Sequence, residues 1–183
     1  MLGIGISLGL AAILIITVIA VYNRLVKNKN LMLEAWSVID VFLKKRHDLV
    51  PNLVDIVKGY AAYEKTTLED IIRYRSEAMQ AKVTETQVAS ENRLGKALDK
   101  LLVVAESYPN LKANANFLRL QQQLTDLEHD LEASRRYYNG TVRINNIYVE
   151  KFPSNIIAGM FHFGKGVFFA AETSEKEVPQ ITV

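Results

Sequence analysis

Asp126 and His129 stand three residues apart, with Glu128, Asp130 and Glu132 around them. Helical bundles hold two iron ions through such a carboxylate-x-x-His pair on each of two helices, completed by a glutamate from each of two others. Here the spacing occurs once, because Lys44 lies three residues before His47 and Gly159 three before His162. Leu124, Leu127 and Leu131 mark an inward stripe that turns His129 toward solvent. A surface charge cluster is therefore the expected reading, and a helical-bundle metal enzyme is its alternative. Gly5-Ile6-Ser7-Leu8-Gly9 fits the hydrolase pattern G-x-S-x-G, but that chemistry needs a strand–turn–helix and a histidine partner, and an apolar helix offers neither. Asn139-Gly140-Thr141 is a sequon in a segment read as a cytoplasmic helix, where it would go unmodified.

A second polar set, Asp40, Arg46, Asp48, Arg135 and Asn139, lies on or beside the apolar stripes. Arg46 falls at an inward position and needs a carboxylate, which Asp40, Asp48 or a glutamate across the bundle can supply. Register specification between long helices is the expected role of this set. With no zinc-ligand spacing, phosphate loop or cysteine, the chain is expected to be no enzyme and to need no cofactor. Its net charge of +2 is too small to point to nucleic acid.

The elements that position these residues begin with an apolar run. No charged side chain precedes Arg24, and a bilayer span needs only about 20 apolar residues. Residues 1–23 are thus expected to form an uncleaved transmembrane helix, since the run lacks a basic start and exceeds a signal peptide's apolar core. Arg24, Lys27 and Lys29 follow it directly, which places the C-terminal side in the cytoplasm and Met1 outside. Gly5 and Gly9, four residues apart, would let two such helices approach closely.

Beyond the span the expected class is all-α: an elongated antiparallel bundle of about four helices over residues 24–153, with the first and last long. Steps of four and three trace Leu25, Lys29, Met32, Trp36, Ile39, Leu43, Arg46, Val50, Leu53, Val57 and Tyr60. A second series runs Phe117, Leu120, Leu124, Leu127, Leu131, Ser134, Tyr138, Thr141, Asn145, Tyr148 and Phe152. Both keep the average of 3.5 residues that coiled-coil-like packing requires. Between them, Thr66-Thr67-Leu68-Glu69 resembles a capping box opening a helix with Ile71, Ile72 and Met79, and Leu94, Leu98, Leu101, Ala105 and Tyr108 form another stripe. Pro51 interrupts the first series and removes the backbone bond to the carbonyl of His47.

The middle helices are about half as long as the outer two, so the membrane-proximal half is expected to be a two-helix stalk. Beside its main stripe runs a second seam, Leu31, Ala35, Val38 and Phe42, which one antiparallel partner would leave uncovered. A further copy of the chain is the expected cover. Residues 154–183 hold a glycine-broken apolar stretch with Phe161, Phe163, Phe168 and Phe169, followed by an acidic segment and the tail Pro179–Val183. The stretch is too short to span a bilayer. It can pack on the bundle, lie at the headgroups or join neighbouring subunits, and the tail can add a strand to a partner.

Several segments together resemble a known family. They are Ala35-Trp36-Ser37-Val38-Ile39-Asp40-Val41, Lys45-Arg46-His47-Asp48-Leu49-Val50-Pro51-Asn52-Leu53-Val54 and Glu106-Ser107-Tyr108-Pro109-Asn110-Leu111-Lys112-Ala113-Asn114. Phe117-Leu118, Leu120-Gln121, Ala133-Ser134-Arg135, Tyr138-Asn139, Val142, Asn146 and Phe152-Pro153 follow in order. The chain is similar to the LemA family of bacterial membrane proteins over nearly its whole length, departing at Asn145, where the family pattern repeats a Tyr-Asn pair. The resemblance implies one inner-membrane span and a cytoplasmic helical bundle, without an activity. Frequent gene neighbourhood with a membrane metallopeptidase implies a possible partner by association only. The expected function is a self-associating scaffold that organises membrane components; the alternative is an adaptor of such a peptidase.

Overall fold

The computed structural model describes residues 2–81 and 84–169, and all its regular elements there are helices. They are α1 (Leu2–Tyr60), α2 (Lys65–Gln80), α3 (Thr84–Ala105), the single turn α4 (Pro109–Lys112), α5 (Ala115–Glu150) and α6 (Ser154–Met160). The all-α expectation holds. The acidic segment and the tail to Val183 lie outside the described residues.

Two compact units share α1 and α5: one comprises the chain up to Val38 with Ser134–Phe168, the other Ile39–Ala133 with Phe169. In the second unit, α1 and α5 run antiparallel, since Asn114 donates to the Tyr60 hydroxyl at 2.9 Å and Arg46 reaches Glu128. α2 and α3 complete an up-down bundle. Its core takes Val50, Leu53 and Val57 from α1, Ile71 from α2, Leu94, Leu98 and Leu101 from α3, and Phe117, Leu120 and Leu124 from α5. These are the stripe residues, so the 3.5-residue spacing translates directly into packing.

Local chemistry sets the helix ends differently from the sequence reading. α2 starts at Lys65 with Glu64 at its cap and no side-chain cap bond, so the Thr66–Glu69 box is not used. Thr67 is buried in the core instead, and the Glu64 carboxylate accepts from the Tyr108 hydroxyl at 3.1 Å. Ile71 is buried, whereas Ile72 and Met79 are exposed. α3 stops at Ala105, before Tyr108, and Pro109 opens α4 at a position where its missing N–H costs nothing.

The first unit begins with the apolar run of α1, none of it buried, and long and apolar enough to cross a membrane. Thr17 returns its hydroxyl to the Ile13 carbonyl at 2.8 Å, the internal satisfaction that a lipid-exposed helix requires. Further on, α1 and α5 again run antiparallel: the Trp36 and Tyr138 rings meet at 5.1 Å, and Arg24 lies over the Tyr148 ring at 5.5 Å. α6 closes on Leu25 through Ile157 and Ala158.

After α6 the chain turns back. His162 adopts φ 56°, Phe163 N–H bonds the Ala158 carbonyl at 2.9 Å, and His162 N–H bonds that of Gly159 at 3.3 Å. That is the left-handed helix stop known as a Schellman motif. The following residues form an extended strap along α5. Asn145 donates to the Gly164 carbonyl at 3.2 Å, and Tyr138 donates its hydroxyl to that of Val167 at 2.8 Å. Asn146 donates to the Gly166 carbonyl at 3.0 Å and accepts from its N–H at 2.8 Å. Within this unit the expected two-helix stalk therefore carries a third layer, made by the chain itself.

Candidate functional site

The polar centre of the second unit is built around Arg46. The α1 stripe sends this side chain into the core, where it is 1 % exposed. Its Nη1 donates to Glu128 Oε1 of α5 at 2.9 Å. Its Nη2 donates to the Glu91 carbonyl oxygen of α3 at 3.0 Å and to the Glu91 carboxylate as well. The other Glu91 oxygen lies 2.8 Å from His47 Nε2. An ionised carboxylate only accepts, so Nε2 carries the proton in this contact. One step along α1, the His47 carbonyl accepts from Arg75 Nε of α2 at 2.7 Å. Three helices, α2, α3 and α5, thus converge on two adjacent residues of α1.

The electrostatics are those of a paired buried ion cluster, within which Arg46 Nε is buried without a hydrogen-bond partner. Burial opposes the Arg46 charge, but Glu128 and Glu91 outweigh it and raise the guanidinium above its ordinary value. Burial likewise pushes the Glu91 carboxyl up, yet the His47 hydrogen bond and the Arg46 charge hold it below the usual carboxylate range. Asp99 of α3 is pushed up by burial and by the nearby Glu128. Removing either partner of such a pair strands a charge in the core, so the cluster ties α1, α3 and α5 to one register.

Of the polar residues expected to surround Arg46, Asp48 pairs with Lys44 at 2.9 Å on the surface, and Asp40 accepts from Gln87 at 3.3 Å. The carboxylates across the bundle, Glu91 and Glu128, take Arg46. Arg135 and Asn139 are half-buried on α5 in the other unit. His129 and Asp126 are both exposed, and Asp126 accepts from Gln122 at 2.8 Å. Among the described residues, no group of three or more His, Asp or Glu side chains is placed to hold a metal.

Sequence reasoning grouped Glu128 with the surface charges and missed Glu91, His47, Arg75 and Asn146. A signal for Glu91 was present, because it lies three residues before Leu94 and so continues the α3 stripe inward.

The apolar contact candidates are dispersed. Gly5 and Gly9 face open space, with nothing within 4 Å of a built Cβ. Leu31 is half-buried and Val38 is exposed in the first unit, while Phe42 of the second lies under the Lys45 ammonium at 5.2 Å. Phe161 and Phe163 stack edge to face on Tyr22, Phe168 is exposed, and Phe169 is buried.

Comparison with known proteins places the chain. The LemA family model matches residues 35–182, and the chain belongs to that family. It is 27 % identical to Protein LemA of Metamycoplasma hominis, over 85 % of this chain and 72 % of that protein. It is also 23 % identical to Magnetosome protein MamQ 2 of Paramagnetospirillum magneticum, over 92 % of this chain and 71 % of the relative. Magnetosome protein MamQ of Magnetospirillum gryphiswaldense is 23 % identical over 80 % of this chain and 63 % of its own length.

Proposed function

We propose that this LemA-family chain is a non-enzymatic, single-pass membrane scaffold that self-associates and organises membrane components, with its N-terminus outside and its helical units in the cytoplasm. The observation that carries this reading is the continuity of α1. One helix holds the largely exposed apolar run and then supplies Leu25, Ile39, Leu43 and Val57 to the buried cores. Anchor and bundle are one element, so contacts between spans at Gly5 and Gly9 act on the same helix as contacts further along it. The Arg46 cluster supports a structural role, because Arg46 Nη1 and Nη2, both Glu91 carboxylate oxygens, Glu128 Oε1 and His47 Nε2 are spent on one another. The names of the relatives describe no reaction.

The test is the mass of the complex extracted into nanodiscs, together with cysteine crosslinking at Val38 and Gly9. A homo-oligomer of defined size with crosslinks at both positions is the expected result. A monomer without crosslinks would overturn self-association.

A second reading, adaptor of a membrane metallopeptidase, draws on an open groove between α1 and α2. Val54, Ala62, Leu68 and Ile72 form its apolar floor, and Lys58 and Lys65 line it as well. A stoichiometric second protein in the extracted complex would favour that reading.

A further inference from the structure

α6 and the turn before it present an apolar face that the fold leaves bare. Phe152, Ile156 and Met160 are spaced four residues apart and are 72 %, 55 % and 66 % exposed. Four-residue spacing puts Ile156 and Met160 on one side of α6, and Phe152 is exposed in the turn that leads into it. The opposite side is seated firmly, for Ile157 and Ala158 bury Leu25, and Val18, Val21 and Phe163 pack on the same cluster. Phe161 and Phe163 meet Tyr22 with ring centroids at 4.8 Å and 5.7 Å.

The position of that seat along α1 identifies what faces it. A hydrocarbon core about 30 Å thick takes about 20 helical residues. Counted from Gly3, it ends near Tyr22. Val18 to Leu25 cover about 10 Å of helix axis across that limit, the depth at which interfacial helices lie. The α6 seat therefore straddles the boundary between acyl chains and headgroups. Arg24, Lys27, Lys29 and Lys151 are exposed in the same unit, a cationic set suited to anionic headgroups.

We propose that α6 is an interfacial anchor, with Phe152, Ile156, Met160 and Phe161 set among the acyl chains of anionic lipid in the cytoplasmic leaflet. The chain then grips one leaflet at two points, the span and α6. This rests on the membrane reading of α1 given above and deepens it by naming the lipid class and the face that meets it. Continuity with the span favours lipid over a second copy of the chain, because Val18 and Tyr22 belong to the seat itself.

The sequence has no cysteine, so single labels are unambiguous. Spin labels on Ile156→Cys and Met160→Cys in the full chain, with Ile13→Cys and Glu106→Cys as references, are read in nanodiscs containing phosphatidylglycerol and in nanodiscs of phosphatidylcholine alone. Collisions with oxygen report lipid, and collisions with a water-soluble nickel chelate report solvent.

With phosphatidylglycerol, the labels at 156 and 160 are expected to favour oxygen several-fold over the Glu106 reference, at a shallower depth than the Ile13 label. Without it, their nickel accessibility should rise several-fold. If 156 and 160 meet nickel while Ile13 stays in lipid, the α6 proposal is overturned and the span stands. If both reagents are excluded there, a protein surface covers the face, and the proposal again fails. Indifference to lipid charge overturns the anionic assignment, and nickel access at Ile13 overturns the membrane reading itself.

Discussion

Arg75 Nε donates a 2.7 Å hydrogen bond to the carbonyl oxygen of His47. That oxygen is available because residue 51, which would donate to it in a regular helix, is a proline. α1 runs on through Pro51, and the bond lost within the helix is replaced by one from α2. The same turn of α1 carries Arg46 and the His47 ring, so the proline, the arginine of α2 and the buried ion cluster form one arrangement.

Replacing Arg75 by leucine should orphan the His47 carbonyl and cost about 1–3 kcal/mol. In a Pro51→Ala background the new N–H can take over the carbonyl, so the same replacement should cost about 1 kcal/mol less. Denaturant unfolding of the four proteins in this cycle measures the difference. A coupling near zero would show that the carbonyl does not depend on Arg75.

How much of this was legible in the sequence depended on whether one helix or several carried the information. Both long stripes were readable because each lies within a single helix, and residues such as Leu43, Val57, Leu124 and Leu131 are buried where the spacing put them. Pro51 also announced a free carbonyl. Its acceptance by Arg75 was not readable, since that depends on how α2 packs beside α1. Glu91 and Glu128 show the same limit. Glu91 continues the α3 stripe and Glu128 does not stand out, but only the cross-bundle register brings either of them to Arg46. The strap was hidden for a related reason, because Asn145 and Asn146 bond backbone groups some twenty residues ahead in sequence, and Gly164 and Gly166 show no period.

The Arg46–Glu91 pair should be costly to break from one side and cheap to replace from both. Arg46→Met leaves the Glu91 carboxylate buried with only His47, and Glu91→Met leaves Arg46 with the Glu128 carboxylate and the backbone carbonyl of residue 91. Each should destabilise the protein by about 3–5 kcal/mol. The double variant Arg46→Met/Glu91→Met should lose clearly less than the sum, read as thermal unfolding in detergent. Additive losses would mean that the two side chains do not compensate one another in the core.

Glu91 also predicts an acid limb of stability. Its carboxyl is held below the usual range in the folded chain, so in the window beneath the ordinary glutamate pKa of about 4.3 the unfolded chain binds the proton first. Its contribution is complete above that value and is lost as the pH falls toward the folded pKa. Melting temperatures taken between about pH 3 and 6 should fall more steeply for the native chain than for Glu91→Gln. Parallel slopes would remove Glu91 from the acid transition.

The strap should open separately from the helix that holds it. Asn146 binds both backbone groups of Gly166, at 3.0 Å and 2.8 Å, as a neighbouring strand would. Asn146→Ala removes two bonds worth about 0.5–1.5 kcal/mol each, so the Gly166 amide should exchange with solvent roughly 5- to 150-fold faster. α5 amides such as that of Val142 should keep their protection, because their own bonds are intrahelical. Gly166→Val tests the same contact sterically. A Cβ there would fall on the Met32 sulfur and lie 3.4 Å from Val142 Cγ1, so the Met32 thioether must swing aside and the strap should loosen while α1 and α5 stay paired. Trp36, the sole tryptophan, reports that pairing through its contact with Tyr138. Faster exchange at Gly166 with unchanged Trp36 emission is the expected outcome for both variants. Loss of protection along α5 together with a red-shifted Trp36 would instead show that strap and helix pair open as one unit.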